Sequence, residues 1–479
     1  MSPAIHDVVI VGGGLTGATT VIHLACGAKE PLLIAIVEPN KDLGRGLAYD
    51  NPEQDYRLNG PGSKHSIYPE HLSHFHEWYM AEGLDKHDPD ARDQSGFHFP
   101  RRYDYGSYVN AEILKNTAEN PSRSRIVHVI DRATDVVDQG SHFEIALESG
   151  VTIAAKVLVV AATPGQAKIP SVLTSLPVGD LTFFPDPWDT DRLRQLPKAA
   201  EVLILGMAQT ASDVAANLLK YGHDGPITLL SRRGKRPRKR PPLDATSYLR
   251  DPMVENHDQF LNPDQTAKPA SEVLKALRRD ARALAKRDKS WVPTMEKLSE
   301  LIAEHWHSLP IAVKKRFLRH GRTWFDVHRF RLPPQIETRI EAAESRGQIH
   351  FLSASILDAK PNGARLDIST RKRGTYEIAT KTYDAVINCT GLEDRPEYTT
   401  NPFLRALVSH GVAVTHPTCS GFDVDFLSNA IDKTGRPNPD LFIVGPLTYG
   451  AFADQQGSVF IARRLMRIVP NILRQVAAN

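Results

Sequence analysis

The chain has 479 residues, 41% of them hydrophobic and 24% charged, an ordinary balance for a soluble globular protein and enough length for two or three domains with separate cores. A net charge of +3 is too small a bias to argue for a nucleic-acid partner, and no apolar run approaches the ~18–20 residues that cross a membrane. The three cysteines, Cys26, Cys389 and Cys419, are far apart, so they supply neither a closely spaced redox pair nor zinc-ligand spacing, and no metal is expected. With no basic-then-apolar leader at the N-terminus, the expected setting is reducing and cytoplasmic.

Residues 6–12, His-Asp-Val-Val-Ile-Val-Gly, read as a short buried parallel strand. Gly12, Gly13, Gly14, Leu15, Thr16 and Gly17 then match GxGxxG, and Leu15, Ala18, Val21, Ile22 and Ala25 fall on one face of a following helix. A second apolar run, 32–37, ends in Glu38. The glycines differ in what they permit. Gly12 makes the tight turn, Gly14 admits a pyrophosphate to the backbone, and Gly17 lets the helix pack on the strand. The helix N-terminus offers unpaired N–H groups to phosphate, and Glu38 sits where an acid accepts from a ribose. An acid there repels a 2′-phosphate, so this site favours FAD or NAD over NADP. The loop Gly44-Arg45-Gly46-Leu47-Ala48-Tyr49 suits either cofactor contact or an ordinary surface turn, and 57–62 is a further turn-rich segment containing Asn59.

A second strand, 201–205, ends in Gly206 and opens a GxAxxA variant: Gly206, Met207, Ala208, Gln209, Thr210, Ala211. An amphipathic helix follows, then a strand over 227–230 ending in Ser231-Arg232-Arg233. A hydroxyl and two guanidiniums in place of the acid suit a ribose 2′-phosphate, so NADPH is assigned here. Ala208 replaces the glycine nearest the pyrophosphate, and its methyl holds the phosphate slightly farther off. In the basic run 232–240 the later residues, Lys235 to Arg240, are expected to give only general attraction for an anion.

The expected fold class is α/β, with two Rossmann-like dinucleotide-binding domains and a helical insertion. The first domain takes residues 1–170 and 376–479; the second takes 195–375, with helices over 271–286, 295–306 and 311–319 in an insertion at about 240–345 that caps the active site. The strands 157–162 and 385–389 run into Thr163-Pro164-Gly165 and Thr390-Gly391 as crossings between domains. Gly391, and near the C-terminus Gly445 and Gln456, are further FAD candidates. A helix beginning after 457 is expected to point its N-terminus at the flavin. Asp454, Gln455 and Gln456 suit either that site or a helix cap. Asp213 reads as a packing or capping residue more than a base.

Together these motifs resemble the FAD/NAD(P)-binding protein family that includes the YdhS-like bacterial proteins. The resemblance is carried by 9–17, 44–49, Leu58-Asn59, Asp186-Pro187-Trp188, 203–206 with Asp213, 231–234, 324–331 and 445–448, which span most of the chain. That family is related to class B flavin monooxygenases, some of which N-oxygenate amino acids. The resemblance therefore implies an NADPH-dependent FAD monooxygenase using O2, hydroxylating a small amine or amino acid through a C4a-hydroperoxyflavin. It also implies that Arg45, Gly46 and Leu47 contact FAD. No histidine stands between Gly179 and Trp188 where a Baeyer–Villiger linker carries one, so ketone oxygenation is disfavoured. The catalytic residues stay unknown, since the flavin carries the chemistry. His328, Arg329 and Arg331 are candidates for a substrate carboxylate, with interdomain salt bridges as the competing role. An oligomer is possible. The alternatives are an NADPH-dependent flavin reductase without oxygenation, and a non-enzymatic flavin-binding redox protein.

Overall fold

The computed structural model describes residues 5–51, 55–163, 165–241, 262, 268–453 and 457–479; Gln456, with Asp454 and Gln455, lies outside them. Among the described residues the strands are β1 Ile5–Val11, β2 Leu33–Val37, β3 Arg125–Val129, β4 Ala133–Asp138, β5 Phe143–Leu147, β6 Thr152–Val160, β7 Phe183–Phe184, β8 Val202–Leu205, β9 Ile227–Ser231, β10 Ile349–Asn362, β11 Arg365–Lys372, β12 Ile378–Tyr383, β13 Ala385–Asn388, β14 Asn429–Ile431 and β15 Pro437–Ile443. Helices of eight residues or more are α1 Leu15–Gly27, α2 His74–Ala81, α3 Arg102–Ala118, α4 Gln209–Lys220, α5 Ala270–Ala285, α6 Val292–His305, α7 Ile311–His320, α8 Arg322–Arg329, α9 Pro334–Ser345, α10 Pro402–Ser409 and α11 Ser458–Ala478.

Two sheets form two Rossmann-like α/β domains. The first runs β14-β15-β6-β1-β2-β3, with the β4–β5 hairpin attached at β6. Its central pairs are parallel, with Val8 opposite both Ile34 and Val157. Side chains alternate along β1. Val8 and Ile10 pack under α1, α3 and α11, while Val9 and Val11 pack against the hairpin and α10. Burial on both faces is why the run is continuously apolar instead of alternating. The second sheet runs β12-β11-β10-β9-β8-β13-β7, parallel from β7 to β10 and antiparallel beyond.

The sheets correct the expected boundaries. β7 precedes 195 and β12 and β13 follow 375, yet all three belong to the second sheet. The crossing comes after Asn388, where Ala167 pairs with Leu392 and Lys168 N donates to Gly391 O at 2.8 Å. A short apolar strand before Thr-Gly reads alike in either sheet, so spacing alone misplaced it. Helix α9 is also not part of the insertion, because Ile336, Ile340 and Ala343 pack into the second domain's core.

The remaining helices, α5–α8, match the three expected ones within a few residues and add α8. They dock on the first domain. The Trp306 indole donates to Gly450 O at 2.9 Å, His307 stacks on Phe452 at 5.2 Å, and Arg322 lies over Tyr449 at 4.6 Å. Trp306 is 1% exposed, so Trp306→Ala is expected to cost ~3–5 kcal/mol of stability, read as a lower midpoint in chemical denaturation. Among the described residues, no helix is long and apolar enough to cross a membrane.

Candidate dinucleotide-binding sites

At the first glycine turn the chain leaves β1 through Gly12, whose φ of +105° favours glycine, and a Cβ there would stand 2.7 Å from the Ala161 backbone. At Gly17 a Cβ would come 1.8 Å from Gly12 O, so α1 closes directly on the turn. Leu15 and Thr16 are buried in the first turn of α1, and Gly445 packs on Thr16, where an added Cβ would meet Oγ1 at 2.7 Å. Gly14 faces Gly46, with a Cβ on the former only 3.3 Å from the latter's Cα. The loop of 44–49 thus lies on the turn, fixed by Gly44 N donating to Gly13 O at 2.7 Å. Glu38 ends β2 beside it and accepts from Gly13 N at 2.8 Å and Asn40 N at 3.2 Å.

Arg45 is buried within that loop. Its guanidinium is held by Asp42 at 3.3 Å, by Ser107 Oγ at 3.2 Å and over the Tyr103 ring at 4.1 Å. It shapes the loop from behind, while Leu47 is exposed. The Asn59 carbonyl accepts from Arg240. Gly391 sits in the interdomain crossing described above.

The second turn repeats the plan. Gly206 has φ of +130°, a Cβ there would meet Cys389 O at 2.6 Å, and Ala208 caps α4 in extended backbone with its side chain exposed. Gln209 Nε2 donates to Arg331 O at 3.3 Å, and Thr210 is half-buried. Ser231 Oγ accepts from Gly234 N at 3.0 Å. Arg232 projects to solvent. Arg233 turns away, donating to the carbonyls of Arg319 and His320 and to Thr323 Oγ1 at 3.2 Å. The basic run beyond it is also not a diffuse field. Arg236 pairs with Glu344 at 2.7 Å and Lys239 with Glu341 at 2.9 Å, both on α9, while Arg240 is buried and joins Leu332 O to Asn59 O. Carboxylates on α9, out of reach in sequence, recruit these cations.

The substrate candidates separate. Arg331 is buried, pairs with Glu296 at 3.5 Å and donates to His328 O at 3.0 Å, a structural role inside the cap. His328 Nδ1 bonds Trp324 O at 2.6 Å and its ring meets Trp291 edge-on. Arg329 lies over Phe460 of α11 at 4.8 Å, at the junction of cap and first domain. Near it is His65, for which the sequence holds no signal. Burial pushes His65 down to about 4, with the positive charges of Arg329, Arg240 and Lys64 adding to the effect. Its imidazole is neutral around pH ~7. Histidine in a loop carries no characteristic spacing, so only the fold finds it.

Residues 9–165 match the family model described as FAD-NAD(P)-binding. No curated protein matches the chain. Among solved structures it is similar to the ornithine hydroxylase of Pseudomonas aeruginosa (15% identity, 98% of this chain and 100% of that one, TM-score 0.64). It is likewise similar to the L-lysine 6-monooxygenase of Pseudomonas syringae (14%, 98% and 99%, TM-score 0.63). A third is the desferrioxamine-pathway cadaverine monooxygenase of Erwinia amylovora, solved bound to FAD (13%, 99% and 95%, TM-score 0.62). At these identities the shared property is the two-domain fold along almost the whole chain. Among the described residues no cluster of histidine, cysteine or acid could hold a metal.

Proposed function

We propose that this protein is an NADPH-dependent FAD monooxygenase that N-hydroxylates a small amine or amino acid. The observation that carries the reading is the pair of strand–turn–helix cradles with opposite charge at the ends of their second strands: Glu38 at one, Ser231 and exposed Arg232 at the other. The backbone floor formed by Gly14 and Gly46 fits a pyrophosphate, which an added side chain at either position would crowd. Glu38 fits a ribose hydroxyl and rejects a 2′-phosphate; Arg232 fits that phosphate. The similar structures named for ornithine, lysine and cadaverine oxygenation supply the substrate class.

Bound FAD would supply hydride acceptance from NADPH and reaction with O2. The chain's own residues bind, orient and exclude water. Gly12–Gly17 and Glu38 hold one nucleotide, and Gly206–Thr210 with Ser231 and Arg232 hold the other. The helices α5–α8, docked on the first domain through Trp306 and Arg322, would exclude water from a flavin bound there. Arg329, which lies over Phe460 where α8 meets the first domain, would supply the cation for a substrate carboxylate, and His65, neutral near pH ~7, adds no second positive charge there.

The test is coupled turnover. FAD-loaded protein is expected to oxidise NADPH at least ~10-fold more efficiently than NADH, as one good charged contact provides. With the right amine it gives hydroxylated product in proportion to NADPH consumed. NADPH consumption that yields hydrogen peroxide alone across an amine panel would select the reductase reading. Protein that takes up neither nucleotide would sink the proposal.

A further inference from the structure

The two domains meet along a polar seam. The first domain contributes Asp55, Tyr56, Arg57 and, at the start of α3, Arg102. The second contributes Asp213, Asn217 and Lys220 from α4 and Arg339 from α9. Arg102 Nη2 donates to Asp213 Oδ2 at 2.8 Å and Arg102 Nε to Arg57 O at 3.1 Å. Asp55 N donates to Asn217 Oδ1 at 3.0 Å, and the Asp55 carboxylate lies 3.2 Å from Arg339 and 3.4 Å from Lys220. Asp213 is 1% exposed, and its second oxygen, Oδ1, has no hydrogen-bond partner among the described residues. Asp55 thus has several cations around it, while Asp213 is satisfied on one side only.

The Arg102–Asp213 pair also bridges the two helices that adjoin the glycine turns. Helix α4 starts at the second turn. Helix α3 supports the first, because Gly106 sits against the Tyr49 carbonyl, where a Cβ would come within 2.7 Å. Interdomain seams of this polar kind permit relative motion unless something fixes them. We propose that Arg102 and Asp213 are a positioning pair that sets the second nucleotide turn at its working distance from the first, and that the proton on Asp213 controls how firmly the domains are held.

The sign follows from the surroundings. Burial raises Asp213 to about 6 from 3.8; Arg102 opposes the rise and the negative charge of Asp55 adds to it. Tyr56 and, at the end of β13, Cys389 also face it. When the seam opens, water returns and the carboxyl falls back toward its ordinary value. The closed state therefore holds the proton more tightly, so acidification through about 6 favours closure and an ionised Asp213 loosens the seam. The open-to-closed ratio therefore rises as the pH climbs from the ordinary carboxylate range through about 6 and levels off above it.

The experiment uses the FAD-loaded full chain with Cys26 and Cys419 replaced by serine and spin labels at Leu114→Cys and Ile378→Cys, both exposed, one in each domain. Distance distributions are expected to show one population at acid pH and a growing second one as the pH rises through about 6. Asp213→Asn, which imitates the neutral acid, is expected to hold one population at every pH. Arg102→Gln, which removes the cation, is expected to move the midpoint upward, and it serves alone if Asp213→Asn does not fold. Flavin reduction by NADPH adds a second readout, resting on the function proposed above: Asp213→Asn should change the limiting rate and its pH profile while leaving half-saturation by NADPH within about twofold. A distance distribution in Asp213→Asn with the wild-type pH dependence overturns the inference, as does an unmoved midpoint in Arg102→Gln. If NADPH never reduces the flavin, the functional reading fails, and the distance measurement still decides the clasp.

Discussion

Gly17→Ala is expected to give protein that no longer retains FAD, with visible flavin absorbance per chain reduced at least ~10-fold, which corresponds to about 1.4 kcal/mol or more of lost affinity. The added methyl would stand 1.8 Å from Gly12 O, a backbone atom that cannot rotate away. Relief requires either the turn or α1 to move, and α1 is clamped. Its residues from Leu15 to Ala25 are all buried, between the first sheet on one side and α3 and α11 on the other. Overpacking of this kind costs about 3 kcal/mol, and the displacement falls at the N–H groups that a pyrophosphate needs. Gly27→Ala on the same helix is the control. There the new methyl meets Leu473 Cδ1 at 3.4 Å, an ordinary contact, and alanine suits a helix better than glycine. Flavin content should stay at the wild-type level in that variant. Equal retention by both variants would remove the first turn from the FAD site.

Arg232→Ala is expected to raise the NADPH concentration for half-saturation by ~10–100-fold while leaving the response to NADH within about twofold, as loss of a hydrogen-bonded charge contact worth about 1.5–3 kcal/mol implies. Arg233→Ala should have a much smaller effect on NADPH. From sequence the two arginines are equivalent. In the fold they are not: Arg233 is spent on the last carbonyls of α7, where a cation offsets the helix dipole, and Arg232 stays in solvent beside Ser231. Arg233→Ala is accordingly expected to loosen the end of α7 at a cost of ~0.3–1 kcal/mol, visible as a lower unfolding midpoint. Steady-state kinetics with both nucleotides on both variants distinguishes the roles. A larger NADPH defect in Arg233→Ala than in Arg232→Ala would reverse the assignment.

Much of the candidate site could be read because the proposed pyrophosphate turn has a local geometry. A strand, a turn that only glycine allows, a helix N-terminus and a residue ending the next strand lie within one short βαβ unit. Their spacing survives in the sequence whatever the rest of the chain does. That is why Gly12, Gly17, Glu38, Gly206 and Ser231 fall at the turns, helix start and strand ends that spacing predicts; the three insertion helices come within a few residues of expectation because apolar periodicity is equally local.

The fold class, both nucleotide turns and the charge contrast between Glu38 and Ser231-Arg232 were determined by the sequence itself, because each depends on residues near one another along the chain. The sheet that receives β7, β12 and β13, the burial of Arg240 and Arg331, the neutral His65 and the Arg102–Asp213 seam were decided by tertiary structure. Each of these depends on which strand edge, carboxylate or carbonyl arrives from a distant segment. Arg102 and Asp213 are 111 positions apart, and no periodicity or motif links two such residues until the domains pack and leave each as the other's nearest opposite charge.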